Sequence, residues 1–110
     1  MYVVAYEGHR PVACGAIRPL DRSTAEVRRM FVTRAARRQG LARAVLCELK
    51  EQAIRLGYVK LRLETGYKQV AAITLYQAEG FNRIEPFGEY SSDPTSVCFE
   101  KALRVESGDA

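Results

Sequence analysis

The residues Arg37-Arg38-Gln39-Gly40-Leu41-Ala42, RRQGLA in one-letter code, open the longest helical pattern in the sequence. The N-terminus of a helix carries the positive end of the helix dipole, so acidic side chains are favoured there and arginines are not. Arg34 and Arg43 nevertheless flank the hexapeptide, and no carboxylate occurs between residues 27 and 47. The pattern therefore raises the question of which anion this turn binds.

A glycine-containing turn between a strand and a helix is a candidate phosphate site. The backbone N–H groups of the first helical turn have no acceptor within the helix, and Gly40 lets a ligand approach closely. The arginines would add charge-assisted hydrogen bonds. The alternative is a solvated basic loop, and spacing alone does not separate the two. The sequence contains neither GxxxxGK nor GxGxxG, so these nucleotide-binding motifs are absent.

Outward from this turn, apolar periodicity predicts a mixed α/β sheet with the order β-β-β-α-β-α-β-β. A strand–helix–strand unit over residues 25–65 is expected to form a right-handed parallel crossover. The predicted strands cover a hairpin over 2–20 that turns at 7–10, then 23–32, 58–65, 81–90 and 96–103, and the predicted helices cover 40–56 and 69–80.

The third predicted strand contains an irregularity. Val27 would share a face with Arg29, whereas Met30 and Val32 share the next apolar face. The alternation slips by one residue, as it does at a β-bulge. An edge strand with a polar stretch explains the pattern equally well.

Length and composition indicate one ordinary globular domain, which we assign to residues 1–103, followed by a polar tail at 104–110. The net charge of +4 suits an anionic ligand. Three separated cysteines and one histidine offer neither a metal cluster nor a disulfide framework, so we expect no metal and a reducing, cytoplasmic location. No apolar run is long enough to predict a membrane span.

The motif Arg37-x-x-Gly40-x-Ala42 resembles the R/Q-x-x-G-x-G/A signature of the GNAT superfamily of acyl-CoA N-acyltransferases. The strands AEVRRMFV and VKLRLET lie where that family places strands around the loop. AAITLYQAEGF, residues 71–81, is similar to the family's A-x-x-L-Y-x-x-x-G-F ending. The resemblance covers roughly residues 2–103. It implies a GNAT-like sheet that is N-terminally shortened, because the family fold normally begins with a strand and two helices before the hairpin.

The resemblance also implies acetyl-CoA as cosubstrate, since the family's loop wraps the pyrophosphate of coenzyme A. Gln69 stands where many members have asparagine, seven residues before the tyrosine of the ending. The residues expected to bind the coenzyme are Met30, Phe31, Val32, Arg37, Arg38, Gln39, Gly40, Leu41, Ala42, Arg43, Gln69 and Tyr76.

Two catalytic roles follow from the resemblance. Tyr76 would protonate the departing thiolate, because the family's tyrosine lies near the coenzyme sulfur; a core aromatic is the alternative. Glu26, eleven residues before Arg37, would act as the general base, and an exposed strand glutamate is its alternative. The backbone N–H of Phe31 or Val32 would bind the oxyanion.

The expected function is an N-acetyltransferase that moves an acetyl group from acetyl-CoA to a primary amine in a direct ternary complex. The acceptor would be a small molecule or a peptide. The alternative is a non-catalytic acyl-CoA-binding module, or a partial domain that needs a partner chain. Nucleic acid is a less expected partner, because aromatics do not interleave with the arginines. A shortened fold would leave apolar sheet surface exposed, which predicts a homodimer.

Overall fold

The computed structural model describes residues 1–103, so the predicted tail at 104–110 lies outside the described residues. Its elements follow the predicted order, and the mixed α/β fold class is confirmed. Single 3₁₀ turns occur at Arg34–Ala36 and Gly88–Ser92. The strands and helices are β1 (Tyr2–Glu7), β2 (Arg10–Pro19), β3 (Thr24–Val32), α1 (Leu41–Arg55), β4 (Lys60–Gly66), α2 (Val70–Ala78), β5 (Asn82–Ile84) and β6 (Ser96–Ala102).

The strands form one sheet in the order β1-β2-β3-β4-β6-β5. β3 and β4 are parallel neighbours, as the crossover predicts, and the other pairs are antiparallel. The parallel pairing is short, because it joins only residues 24–26 of β3 to residues 60–62 of β4. Beyond these residues the two strands are no longer paired, and a gap opens in the middle of the sheet.

The predicted bulge is present in β3. Cys14 pairs with Phe31 and Ala16 pairs with Arg28, so the single residue Gly15 faces both Arg29 and Met30. Arg29 has a φ of 58°, a left-handed conformation that is uncommon outside glycine. A bulge bends its strand and increases the local twist. The gap between β3 and β4 lies beside this irregularity.

Helix α1 packs on one face of the sheet through the apolar positions that its sequence period predicts. Val45, Leu46 and Leu49 are buried there. The helix lies close to β2, because a Cβ atom on Gly15 would come within 2.8 Å of a Val45 methyl and 2.9 Å of a Leu49 methyl. This packing fixes where the N-terminus of α1 meets the gap.

Helix α2 covers the same face on the other side of the gap. Its Tyr76 packs against Phe81 and Phe99, with ring centroids 6.0 and 6.2 Å apart. Phe99 on β6 is almost fully buried, as are Leu61 and Leu63 on β4. The aromatic contacts anchor α2 so that Tyr76 borders the gap.

The opposite face of the sheet carries charged side chains in adjacent strands. Arg18 bonds to Glu26, and Arg62 bonds to Glu100, with Nε to carboxylate distances of 2.9 and 2.7 Å. Paired cross-strand charges of this kind stabilise a sheet face without an apolar cover.

The strand predicted over residues 81–90 is wrong in length, because β5 ends at Ile84. Pro86 has no N–H to donate to a ladder, which is consistent with pairing that stops before it. The chain then folds over the charged face. Phe87 lies under the Arg62 guanidinium at 5.4 Å, and Tyr90 donates a hydrogen bond to Glu26.

Neither helix in the described part of the chain is long and apolar enough to cross a membrane.

Candidate functional site

A cleft of about 410 Å³ lies between β3, α2 and the turn before α1. We call it the α2 cleft. Its wall is mostly apolar, with the Arg37 side chain at the α1 end. The residues predicted to bind the coenzyme that line this cleft are Met30, Phe31, Val32, Arg37, Ala42, Gln69 and Tyr76.

A second cavity of about 320 Å³ continues from the α2 cleft into the gap between β3 and β4. We call it the gap cavity. It shares Met30, Gln69 and Tyr76 with the cleft, and adds Arg28 and Glu64 from the charged face of the sheet. The two spaces therefore adjoin. We call them together the path, which extends from Arg37 and Ala42, beside the N-terminus of α1, to Arg28 and Glu64 on the charged face of the sheet.

The turn before α1, next to this path, carries unpaired main-chain donors. Within residues 1–103, the backbone N–H groups of residues 38 to 43 donate to no backbone or side-chain acceptor. Gly40 is the N-cap residue with a φ of 76°, and Arg38 has a φ of 66°. Successive free amides in such a turn form a concave anion-binding nest at the positive end of the helix dipole.

The backbone conformation of Gly40 explains why glycine is favoured there. Its left-handed φ strains any side chain with a Cβ, although a Cβ would meet no atom within 4 Å. Open space next to unpaired amides permits direct contact with a bulky anion. The geometry thus favours the phosphate-site interpretation over the solvated loop.

The arginines around the turn are not equivalent. Arg37 lines the α2 cleft, and its Nε–H donates to the Val32 carbonyl at 3.3 Å. Arg38 is exposed on the turn. Arg43, although predicted to bind the coenzyme, pairs with Glu79 of α2 at 2.9 Å. Arg43 therefore links the two helices and adds positive charge near the turn.

Two further residues predicted to bind the coenzyme, Gln39 and Leu41, lie near the path, and Gln69 lines it. Gln39 is exposed on the turn beside the free amides, and Leu41 is half-buried in the first turn of α1. Gln69 immediately precedes α2 and lines both cavities. An amide side chain at this position can donate to a carbonyl of a bound ligand.

Tyr76 lies where the α2 cleft and the gap cavity meet. The side chain is 7% exposed, and burial raises the pKa of its phenol above 10.0. Its hydroxyl has no hydrogen-bond partner among residues 1–103, and it is not sealed from solvent. Tyr76 therefore carries a neutral phenol at physiological pH and borders both cavities.

Glu26 is placed differently from the expectation that it serves as a base. It is 1% exposed and does not line the α2 cleft or the gap cavity. The Arg18 Nε–H donates to its Oε1 at 2.9 Å, and the Tyr90 hydroxyl donates to its Oε2 at 2.6 Å. Both oxygens are thus engaged, and the role of Glu26 as a base remains a prediction.

Glu64 is a site residue that the sequence analysis did not identify. It lines the gap cavity together with Tyr76, and it is half-buried. Its Oε2 accepts a hydrogen bond from the Ser96 hydroxyl at 2.7 Å, while no donor within the described chain contacts Oε1. In the sequence, Glu64 resembles any residue on the solvated face of a strand. Its position two residues before the end of β4 was the available signal.

The unpaired edge of β3 completes the site. Beyond Glu26, β3 has no partner strand on its β4 side among residues 1–103. Main-chain groups near Phe31 and Val32 border the α2 cleft at this edge. An edge of this kind is where a backbone N–H can bind an oxyanion.

Comparison with known proteins identifies the family to which this sequence is similar. The sequence profile described as the Acetyltransferase (GNAT) family matches residues 1–81. The uncharacterized N-acetyltransferase YsnE of Bacillus subtilis is 39% identical over 101 residues, which cover 90% of this chain and 67% of that protein. The IAA acetyltransferase of Azospirillum brasilense is 39% identical over 103 residues, which cover 93% of this chain and 67% of that protein.

Solved structures agree with this similarity. A Klebsiella pneumoniae protein described as a candidate acyl-CoA N-acyltransferase superimposes with a TM-score of 0.82 and 37% identity, covering 86% of this chain and 66% of that chain. A GNAT family acetyltransferase from Elizabethkingia anophelis with acetyl-CoA bound has the same fold, with a TM-score of 0.81 and 23% identity over 93% of this chain and 75% of that chain. The chain spans about two thirds of the length of most of these relatives.

Proposed function

Because this chain belongs to the GNAT acetyltransferase family, we propose that it transfers an acetyl group from acetyl-CoA to a primary amine in a direct ternary complex. The observation that carries the proposal is that two adjoining cavities extend from Ala42, in the segment whose amides at residues 38 to 43 are free, to Tyr76 and Glu64. A long, flexible thioester with a diphosphate at one end matches this path in charge and in shape.

The diphosphate binds at the amides of residues 38 to 43, where the helix dipole and Arg37 add positive charge. The pantetheine arm then follows the α2 cleft along Met30 and Phe31, with Gln69 on the opposite wall. This placement brings the thioester to Tyr76. The acceptor amine enters the gap cavity from the charged face of the sheet.

Transfer requires the amine to lose a proton and the thiolate to gain one. We assign the first step to Glu64, whose Oε1 has no donor among the described residues and whose carboxylate lines the gap cavity. The amine nitrogen forms a bond to the acetyl carbon as the carbon–sulfur bond breaks. Tyr76 donates its proton to the departing sulfur. Glu26 is the competing candidate for the base.

A non-catalytic acyl-CoA-binding module is the second candidate function, and turnover separates the two. The test is acetyl-CoA-dependent thiol release measured across a panel of primary amines, with acetyl-CoA binding followed by calorimetry on the same preparation. We expect binding, and thiol release that depends on one class of amine. Binding without amine-dependent release would support the binding module, and no binding at all would refute the assignment of the path.

A further inference from the structure

Arg28 occupies a distinctive position on the charged face of the sheet. It is half-buried in β3 and lines the gap cavity beside Glu64 and Tyr76. It also lines a third cavity of about 240 Å³ on the face away from α1. Arg29, its neighbour at the bulge, lines both spaces as well. Two consecutive arginines therefore border the opening by which an acceptor would reach the site.

Arg28 lacks a counter-ion in the part of the chain that the structure describes. No carboxylate of residues 1–103 lies within ion-pair distance of its guanidinium, and no hydrogen bond from it occurs there. Arg18 on the neighbouring strand differs, because it pairs with Glu26 at 2.9 Å and with Glu89 at 3.6 Å. The Arg28 guanidinium is therefore available to bind an anion from outside the chain.

An anion bound at Arg28 would belong to the acceptor rather than to the coenzyme. The free amides for the diphosphate are at the N-terminus of α1, and the α2 cleft lies between them and the gap cavity. Arg28 instead shares the gap cavity with Glu64. A cavity with a carboxylate and an unpaired guanidinium is complementary to a zwitterion, whose ammonium group faces Glu64 and whose anion faces Arg28.

We propose that the acceptor carries an anionic group, foremost a carboxylate, beside its amine, and that Arg28 binds this group with support from Arg29. The inference rests on the proposed transferase function. The planar guanidinium of arginine forms paired, charge-assisted hydrogen bonds with carboxylate and phosphate oxygens. The substrate class is accordingly free amino acids and related amino acids, rather than polyamines or neutral amines.

The test compares matched acceptors that differ only in charge. Free α-amino acids, β-alanine and 4-aminobutyrate are assayed beside the corresponding amides, with O-phosphoethanolamine as a phosphate-bearing probe. We expect kcat/KM for the best free acid to exceed that for its amide by about 10- to 100-fold, the effect of one charge-assisted contact. If only the phosphate probe shows this preference, the anion is a phosphate rather than a carboxylate.

The variant Arg28→Gln should reduce the ratio of acid to amide activity to about one, mainly by raising the KM for the acid. Arg22→Gln, at an exposed turn away from both cavities, is the matched control and should keep the wild-type ratio. Amides or neutral amines that react as well as the acids would overturn the inference while leaving the transferase function intact.

A binding measurement separates this inference from failure of the proposed function. N-acetylated amino acids and their amides are titrated into the protein with coenzyme A present. Tighter binding of the acids that is lost in Arg28→Gln supports the anion site even without turnover. Equal binding of acids and amides, or no binding of either, overturns it. Failure of the wild-type protein to bind acetyl-CoA would instead count against the transferase function.

Discussion

Tyr76 borders both the α2 cleft and the gap cavity, and its phenol has no partner within residues 1–103. We predict that Tyr76→Phe lowers kcat by about 100-fold or more, the range of a lost general acid, with little change in the dissociation constant for acetyl-CoA. Tyr67→Phe, at an exposed tyrosine, is the control. Stopped-flow thiol release and calorimetry measure the two quantities, and an unaltered kcat would remove the acid role.

The pH dependence of Tyr76 follows from its burial. Burial raises the pKa of the phenol above 10.0, so the proton-donating form persists through the neutral range. As the pH rises, ionisation of Tyr76 should therefore lower kcat only above about pH 10, the ordinary pKa of tyrosine. A Tyr76-dependent decline below that pH would contradict this assignment.

Glu64 and Glu26 give opposite predictions for the general base. Glu64→Gln should lower kcat/KM by about 100-fold, since the variant cannot accept the amine proton. Glu26→Gln should mainly lower the free energy of unfolding, because Arg18 and Tyr90 lose a charged partner. Steady-state kinetics and urea unfolding on both variants distinguish the two candidates. A large loss of kcat/KM in Glu26→Gln, with little loss in Glu64→Gln, would assign the base to Glu26.

Among single residues, the sequence predicted those that belong to a short, continuous motif. Gly40 and Tyr76 belong to local sequence motifs, and in the structure Gly40 is the N-cap of α1 while Tyr76 lines the path. The partner of Glu26 is different in kind, because Tyr90 lies 64 residues away in sequence. Such a contact depends on how a turn folds over the sheet, and no local pattern encodes it.

Among the elements, the segment after β5 covers the charged face through the Tyr90 hydroxyl, which donates to Glu26 at 2.6 Å. We predict that Tyr90→Phe lowers the free energy of unfolding by about 1.5–3 kcal/mol, as expected for a hydrogen bond to a charged group. Urea unfolding measures the change, with Tyr67→Phe as the control. An effect no larger than that of the control would show that the segment does not depend on this bond.

The pKa of Tyr90 predicts how the stability contributed by this hydrogen bond depends on pH. Burial, together with the bond to Glu26, raises the pKa of this phenol in the folded protein above its ordinary value of 10.0. The folded state therefore holds the proton more tightly than the unfolded state, and the added stability is complete below pH 10 and is lost as the pH rises further. The stability difference between wild type and Tyr90→Phe should shrink above pH 10.

The elements themselves were predictable where periodicity was strong. The buried positions of α1 recur at helical spacing. The slip in alternation allowed either a bulge or a polar edge strand, and the pairing of β2 with β3 shows the bulge. The strand expected over residues 81–90 was too long, since an apolar segment beside Pro86 can pair in a sheet or fold over one. Contacts with Arg62 and Glu26 decide between these outcomes, and both lie on distant strands.

For the whole molecule, the homodimer remains a prediction, and the structure suggests which surface would form the interface. Tyr2, Val4 and Phe31 are exposed, and the strand register places them on the sheet face away from α1. Exposed apolar groups on one face favour association. We expect a dimer by size-exclusion chromatography with light scattering at tens of micromolar, and a shift toward monomer in Tyr2→Ser. A monomer at that concentration would refute the prediction.

The cytoplasmic location is likewise still a prediction.

The account depends on the free amides at the N-terminus of α1 as the site for the coenzyme diphosphate. The most direct measurement is a titration of coenzyme A into isotope-labelled protein, followed by the amide resonances of the backbone. We predict the largest shifts at residues 38 to 43, with smaller shifts along Met30, Phe31 and Gln69. Saturable binding that leaves residues 38 to 43 unshifted, or that shifts another surface instead, would contradict the account.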